Sequence, residues 1–184
     1  MDVDCWDDCQ RTPLFTAVIF NAKAVAELLI KHGANVNARD RHFQTPVHLA
    51  AIEGFEGIAE LLINHGAELS ATGDTTPLHL AAENGRMGMV KLFIKHGANV
   101  NALSDDEDCT PLLKASMHCD IAELLIHHGA QTTVRSRGGG STLLHSAVFQ
   151  GRTQFAELLI KHGAAVDARD AHQRMTPLHM AARS

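Results

Sequence analysis

Histidine and cysteine are the residues of this chain that could bind a metal ion or act as nucleophiles. The 184 residues include thirteen histidines, and zinc sites need such side chains at short, fixed spacings. Nine of the histidines recur at two positions of an internal repeat: His32, His48, His65, His79, His96, His128, His145, His162 and His179. The other four are scattered without ligand spacing: His42, His118, His127 and His172. The sequence therefore predicts no metal site.

The four cysteines, Cys5, Cys9, Cys109 and Cys119, include no Cys-x-x-Cys pair and are too sparse for a disulfide scaffold. Free thiols are typical of intracellular proteins, so we expect the cytoplasm or the nucleus. The acidic start of the chain does not resemble a secretory signal, and no run of 18 apolar residues indicates insertion into a membrane.

A glycine-rich segment, residues 135–142, precedes a predicted helix as phosphate-binding loops do, but it lacks the Gly-Lys-Ser/Thr of a nucleotide site. No Gly-x-Ser-x-Gly and no recognisable Cys/His pair occurs either. The sequence thus predicts no cofactor and no enzymatic activity. A net charge of −5 argues against nucleic acid as a partner.

An internal repeat organises the whole chain. Tetrads similar to Thr-Pro-Leu-His begin at Thr12, Thr45, Thr76, Thr110, Thr142 and Thr176, at spacings of 33, 31, 34, 32 and 34 residues. A second marker, His-Gly-Ala, keeps the same phase at His32, His65, His96, His128 and His162. Such periods are typical of repeat proteins, in which neighbouring units share one core. With aromatic residues at 4%, we expect an aliphatic core.

Each repeat predicts two helices. Thr45 suits a helix N-cap and Pro46 the first helical position, where a missing N–H costs nothing. We expect Gly54 and Gly57 to break the chain before a second helix, and Gly66 to end that helix in a left-handed conformation. The unit is therefore helix, turn, helix, loop.

These repeats resemble the ankyrin family. The resemblance rests on Thr45-Pro46-Val47-His48, Thr76-Pro77-Leu78-His79 and Thr176-Pro177-Leu178-His179, and it extends over almost the whole chain. Ala50-Ala51 and Leu61-Leu62-Ile63-Asn64-His65-Gly66-Ala67 match the alanine pair and the second helix of that family. It implies an all-α solenoid of stacked antiparallel helix pairs with projecting hairpin-like loops.

On this basis we divide the chain, as a single ankyrin-repeat domain, into a leading loop and six repeats. The boundaries are 1–11 for the loop, then 12–44, 45–75, 76–109, 110–141, 142–175 and a partial repeat, 176–184. Neither end has a polar capping repeat, which predicts that the chain is a piece of a longer ankyrin protein. We expect that protein to be monomeric when the flanking repeats are present. Repeat four has 13 positions between Thr110 and Glu123 where repeat two has 15 between Thr45 and Glu60, so its first helix should end early.

Family resemblance implies a role in binding proteins, with partners docking on loop tips and on a concave surface formed by each first helix. The exposed first-helix positions carried over to this chain are Phe20, Ile52, Glu53, Glu83, Asn84, Phe149 and Gln150. The loop candidates are Phe43, an acidic tip with Asp106 and Glu107, and a basic tip with Arg135 and Arg137. Apolar side chains at exposed positions suit binding anchors, although each could instead pack against a neighbouring repeat.

The tetrad histidine of the family bridges neighbouring repeats by hydrogen bonds, a role that Phe15 and Leu113 cannot fill. The resemblance also suggests Asn37 and Asn101 as asparaginyl hydroxylation sites. The leading interpretation is a non-catalytic scaffold for a protein partner of unknown identity. The alternative is a regulatory or targeting segment of a larger protein, such as an ion channel, a ubiquitin-ligase adaptor, a latrotoxin-like toxin or a host-directed effector.

Overall fold

The computed structural model describes residues 3–70, 75–104, 109–135, 140–171 and 174–182. The chain forms two compact units, residues 1–99 and 100–184. Within the described ranges the regular structure is helical, apart from an isolated antiparallel bridge between Arg135 and Thr142. None of the helices in these ranges is both long enough and apolar enough to cross a membrane.

Unit 1 contains three helix pairs. Its helices are α1 (Pro13–Ile19), α2 (Lys23–Lys31), α3 (Pro46–Glu53), α4 (Glu56–Asn64), α5 (Pro77–Glu83) and α6 (Met87–Lys95). The first helices form one layer, in which α3 contacts both α1 and α5, and the second helices form another, in which α4 contacts α2 and α6. Each pair thus buries its apolar face against the next, as expected of a repeat protein.

Unit 2 follows the same plan. Its elements are α7 (Pro111–Lys114), a 3₁₀ turn (Ala115–Met117), α8 (Cys119–His127), α9 (Leu143–Phe149), α10 (Thr153–Lys161) and α11 (Pro177–Ala181). Here α9 contacts α10 and α11, and α8 contacts α7 and α10. The early end of the first helix in repeat four, predicted from its length, is confirmed because α7 has only four residues.

The start of each first helix agrees with the sequence prediction. Thr12, Thr45, Thr76, Thr110, Thr142 and Thr176 are all N-caps in extended conformation, and each helix begins at the next residue. In repeat five the Thr142 hydroxyl accepts from the His145 N–H, and His145 Nδ1 accepts from the Thr142 N–H in return. Where Phe15 replaces this histidine, the buried Thr12 hydroxyl has no hydrogen-bond partner in the part of the chain that is described.

The two glycines between α3 and α4 differ in role. Gly54 has a φ of 82° and ends α3, as expected, but Gly57 lies inside α4. The prediction that Gly57 breaks the chain is therefore wrong, since the turn is completed by Gly54 alone. Gly66 follows α4 with a φ of 88°, which confirms the predicted left-handed helix end.

The core consists mainly of alanine, leucine, isoleucine and valine, but Phe15, Phe93 and Phe155 are its largest fully buried side chains. The expectation of a purely aliphatic core is thus wrong at three positions. Buried alanines such as Ala50, Ala51 and Ala81 allow neighbouring first helices to approach closely.

Candidate protein-binding site

The predicted first-helix residues of unit 1 lie at the C-terminal ends of α1, α3 and α5. Phe20 is the C-cap of α1 and is 75% exposed, while Ile52 and Glu53 end α3. The other two are at the end of α5, where Glu83 is the last residue and Asn84 the C-cap. All are exposed except Ile52, which is half-buried. We refer to these five residues as the unit 1 strip.

One hydrogen bond across repeats and one within a helix hold the backbone of this strip. Arg86, which precedes α6, donates from Nε to the carbonyl oxygen of Ile52 at 2.8 Å. Its side chain crosses Gly54 so closely that a Cβ there would lie 3.0 Å from the Arg86 Cδ. Asn84 donates from its amide to the Leu80 carbonyl oxygen at 2.8 Å, which caps its own helix.

Phe43 lies at the tip of the loop before α3, with a φ of 57° and 59% of its side chain exposed. The buried carboxylate of Asp40 holds this loop, since Oδ1 accepts from the backbone N–H groups of His42 at 2.9 Å and Gln44 at 3.0 Å. Oδ2 of Asp40 also pairs with Arg11 at 3.4 Å. The loop therefore presents Phe43 to solvent on a fixed backbone.

Asp40 and Arg86 were not identified from the sequence as parts of this site. For Asp40 the sequence did contain a signal, since a second aspartate, Asp170, lies shortly before the last tetrad. Its Oδ1 likewise accepts from a backbone N–H of the loop, that of Met175, at 2.9 Å. Arg86 offered no such signal, since its role depends on the approach of α6 to the end of α3.

In unit 2, Phe149 is the last residue of α9 and is 74% exposed, and Gln150 is the exposed C-cap. These two residues form the unit 2 strip. Beside them lies a cavity of about 250 Å³, lined by Ser141, His145, Ser146, Phe149, Gln150 and Met180. An exposed aromatic ring next to a cavity with both polar and apolar lining residues is suited to contact with another molecule.

Arg135 is exposed, but its guanidinium is partly engaged. Nη1 donates to the carbonyl oxygens of Gly140 and Arg169, both at 2.9 Å. The side chain therefore fastens its own loop to the following one as well as carrying a positive charge. The other charged loop candidates, Asp106, Glu107 and Arg137, lie outside the described residues.

The two loop asparagines are structural. Asn37 donates to the Gly66 carbonyl oxygen and accepts from the Glu68 N–H, both at 2.9 Å. Asn101 makes the same pair of bonds, to Gly129 at 2.9 Å and from Gln131 at 2.8 Å. Each side-chain amide thus joins two successive repeats.

The histidines and cysteines do not gather into a metal centre among the described residues, which contain no group of three or more His, Cys, Asp or Glu side chains able to hold a metal ion. None of the four cysteines forms a disulfide.

Comparison with known proteins identifies the class. The family model for ankyrin repeats matches three times, at residues 1–73, 69–136 and 134–184, so the chain belongs to the ankyrin repeat family. Its fold is the all-α ankyrin-repeat solenoid.

Among solved structures, the chain is similar to the crystal structure of the ankyrin repeat domain of Bcl-3, described as a unique member of the IkappaB protein family. The two share 30% identity with a TM-score of 0.88, over 97% of this chain and 81% of that one. A search of curated proteins gave no match. Ankyrin repeats are protein–protein interaction modules, and their fold is a non-enzymatic binding scaffold.

Proposed function

We propose that this chain is a non-catalytic scaffold that binds a partner protein through its loop tips and through the first-helix surface that the family places on its concave side. The observation that carries this proposal is the contrast among phenylalanines. Phe20 and Phe149 are 75% and 74% exposed, whereas Phe15 and Phe155 are each 1% exposed.

Exposed aromatic rings of this kind favour binding for a physical reason. A phenylalanine side chain loses little conformational freedom when it is immobilised and removes a large apolar area from water on contact. Exposed polar side chains of the same strips, such as Glu53 in unit 1 and Gln150 in unit 2, would supply the hydrogen-bonding rim that such anchors need.

The loop residues complete the proposed contact set. Phe43 would add a third aromatic anchor on a fixed loop, and Arg135, with Arg137, Asp106 and Glu107, would orient a charged partner. Charge on loop tips mainly affects the rate and the orientation of encounter.

The test compares affinity-purified complexes of the wild type with those of Phe20→Ala and Phe149→Ala, followed by titration of the purified partner. We expect either substitution to weaken binding by about tenfold or more, which corresponds to about 1.4 kcal/mol.

Leu28→Ala is the matched control, because Leu28 is 57% exposed on α2, a second helix, and does not line the cavity that Phe20 borders. It should leave affinity unchanged. Equal losses in all three variants, or unchanged affinity in both phenylalanine variants, would show that the strips are not the binding surface.

A further inference from the structure

Arg86 and Arg152 occupy the same position of their repeats, ten residues after the tetrad threonines Thr76 and Thr142. Arg86 donates from Nε to the carbonyl oxygen of Ile52, at the end of the first helix of the preceding repeat. In that position the arginine is a structural residue that completes the contact between two repeats.

Arg152 meets a different neighbour, because the repeat before it is repeat four. The residue that corresponds to Ile52 is Met117, which ends a 3₁₀ turn instead of an α-helix, and no glycine follows it. Nε of Arg152 is buried and, in the part of the chain that the structure describes, has no hydrogen-bond partner. The shortened repeat has thus removed the acceptor that a regular repeat supplies.

A cavity of about 290 Å³ opens at this place. Its lining includes the polar residues Ser116, Arg152, Thr153 and Gln154 beside Cys119, Met117 and Phe155, and among the described residues no Asp or Glu lines it. Arginine offers several N–H donors in a fixed plane, so a cavity that Arg152 lines together with hydroxyl and amide residues is complementary to an oxyanion.

We propose that this cavity, the Arg152 pocket, binds an oxyanion carried by a side chain of the partner protein, either a carboxylate or a phosphate. Gly151 and Arg152 directly follow the unit 2 strip in sequence, so the pocket would receive a charged group of the partner that contacts Phe149. The inference rests on the proposed function for its biological ligand, but the chemistry of the pocket can be tested without that partner.

The experiment titrates inorganic phosphate and acetate, separately, into the full chain labelled with ¹⁵N, against sodium chloride of equal ionic strength. The signals of the Arg152 and Arg86 Nε–H groups are followed by NMR. We expect the Arg152 signal to shift in a saturable manner with one of the two anions, which identifies the pocket as specific for carboxylate or phosphate. The Arg86 signal should not move, since its N–H is already bound to Ile52.

Two variants make the result decisive. Arg152→Gln should weaken anion binding by at least about tenfold without lowering the melting temperature, because it removes a donor that has no partner. Arg86→Gln should lower the melting temperature and leave anion binding in place.

The proposal is overturned if neither anion causes a saturable shift, if Arg86 and Arg152 respond equally, or if Arg152→Gln binds the anion as well as the wild type. These outcomes do not depend on the partner. Saturable anion binding combined with unchanged partner affinity in Phe149→Ala would refute the function proposed for the unit 2 strip while supporting the pocket.

Discussion

Nε2 of His48 lies 3.0 Å from the carbonyl oxygen of Thr75, the residue directly before the tetrad of the next repeat. A carbonyl oxygen can only accept a hydrogen bond, so the proton of the ring is on Nε2. Nδ1 then accepts from the Thr45 N–H, at 3.2 Å. The imidazole is therefore held neutral, with each nitrogen paired, and it ties the start of α3 to the residue that precedes the next tetrad.

The first prediction follows from the pKa of His48. Burial lowers this pKa from 6.5 to about 4, and the hydrogen bond to Thr75 opposes that effect only in part. The unfolded chain binds the proton more readily, so the contribution to stability is complete above pH 6.5 and is lost as the pH falls toward 4. We expect the free energy of unfolding in urea to fall by about 2 kcal/mol between about pH 7.5 and about pH 5 from this residue.

The variant His48→Gln tests the assignment, since it cannot take up a proton in this range. Between about pH 7.5 and about pH 5, its unfolding free energy should fall by about 2 kcal/mol less than that of the wild type. His179→Gln is the matched control, because His179 holds the equivalent tetrad position but is exposed. A pH dependence that persists in full in His48→Gln would rule out this residue as its source.

The second prediction concerns two phenylalanines six residues apart. Phe155→Ala should lower the unfolding free energy by about 3 to 5 kcal/mol, because it leaves a cavity in the core. Phe149→Ala should change it by less than about 0.5 kcal/mol, since that ring is 74% exposed. Thermal and urea unfolding of both variants provide the measurement, and similar losses in the two would place Phe149 in the core.

The third prediction uses the two glycines at either end of α4. Gly57→Ala should stabilise the chain by about 0.5 to 1 kcal/mol, because alanine is the better helix former. The new Cβ would meet only the Lys23 side chain, at 3.8 Å. Gly66→Ala should destabilise by about 1 kcal/mol, since its φ of 88° is strained for any side chain. Chemical denaturation gives both values, and destabilisation by Gly57→Ala would contradict the helical role found here.

The fourth prediction addresses the loop asparagines. Asn37→Ala removes the acceptor of the Glu68 N–H, so hydrogen exchange at that amide should become about tenfold faster or more. The corresponding amide of Gln131 is bound by Asn101 and serves as an internal control within the same spectrum. Unchanged exchange at Glu68 would mean that the Asn37 side chain does not protect it.

The sequence by itself determined the class of fold, the start of each first helix and the early end of α7. These features depend on local chemistry. A threonine followed by proline favours a helix start, a glycine after an apolar helix favours its end, and the two residues missing from repeat four shorten its first helix. The family resemblance also implied exposure of Phe20 and Phe149, but it left open whether each ring packs against a neighbouring repeat instead.

Only the tertiary structure decided which side chains these repeats leave exposed or unpaired. Phe15 and Phe20 are of the same residue type in one short segment, yet one is buried and the other is exposed, because neighbouring helices cover only one of them. Arg86 and Arg152 likewise hold one repeat position, but a carbonyl oxygen lies near the first and a cavity near the second. Burial and hydrogen bonding at these positions depend on atoms more than thirty residues away along the chain, and spacing within one repeat does not specify them.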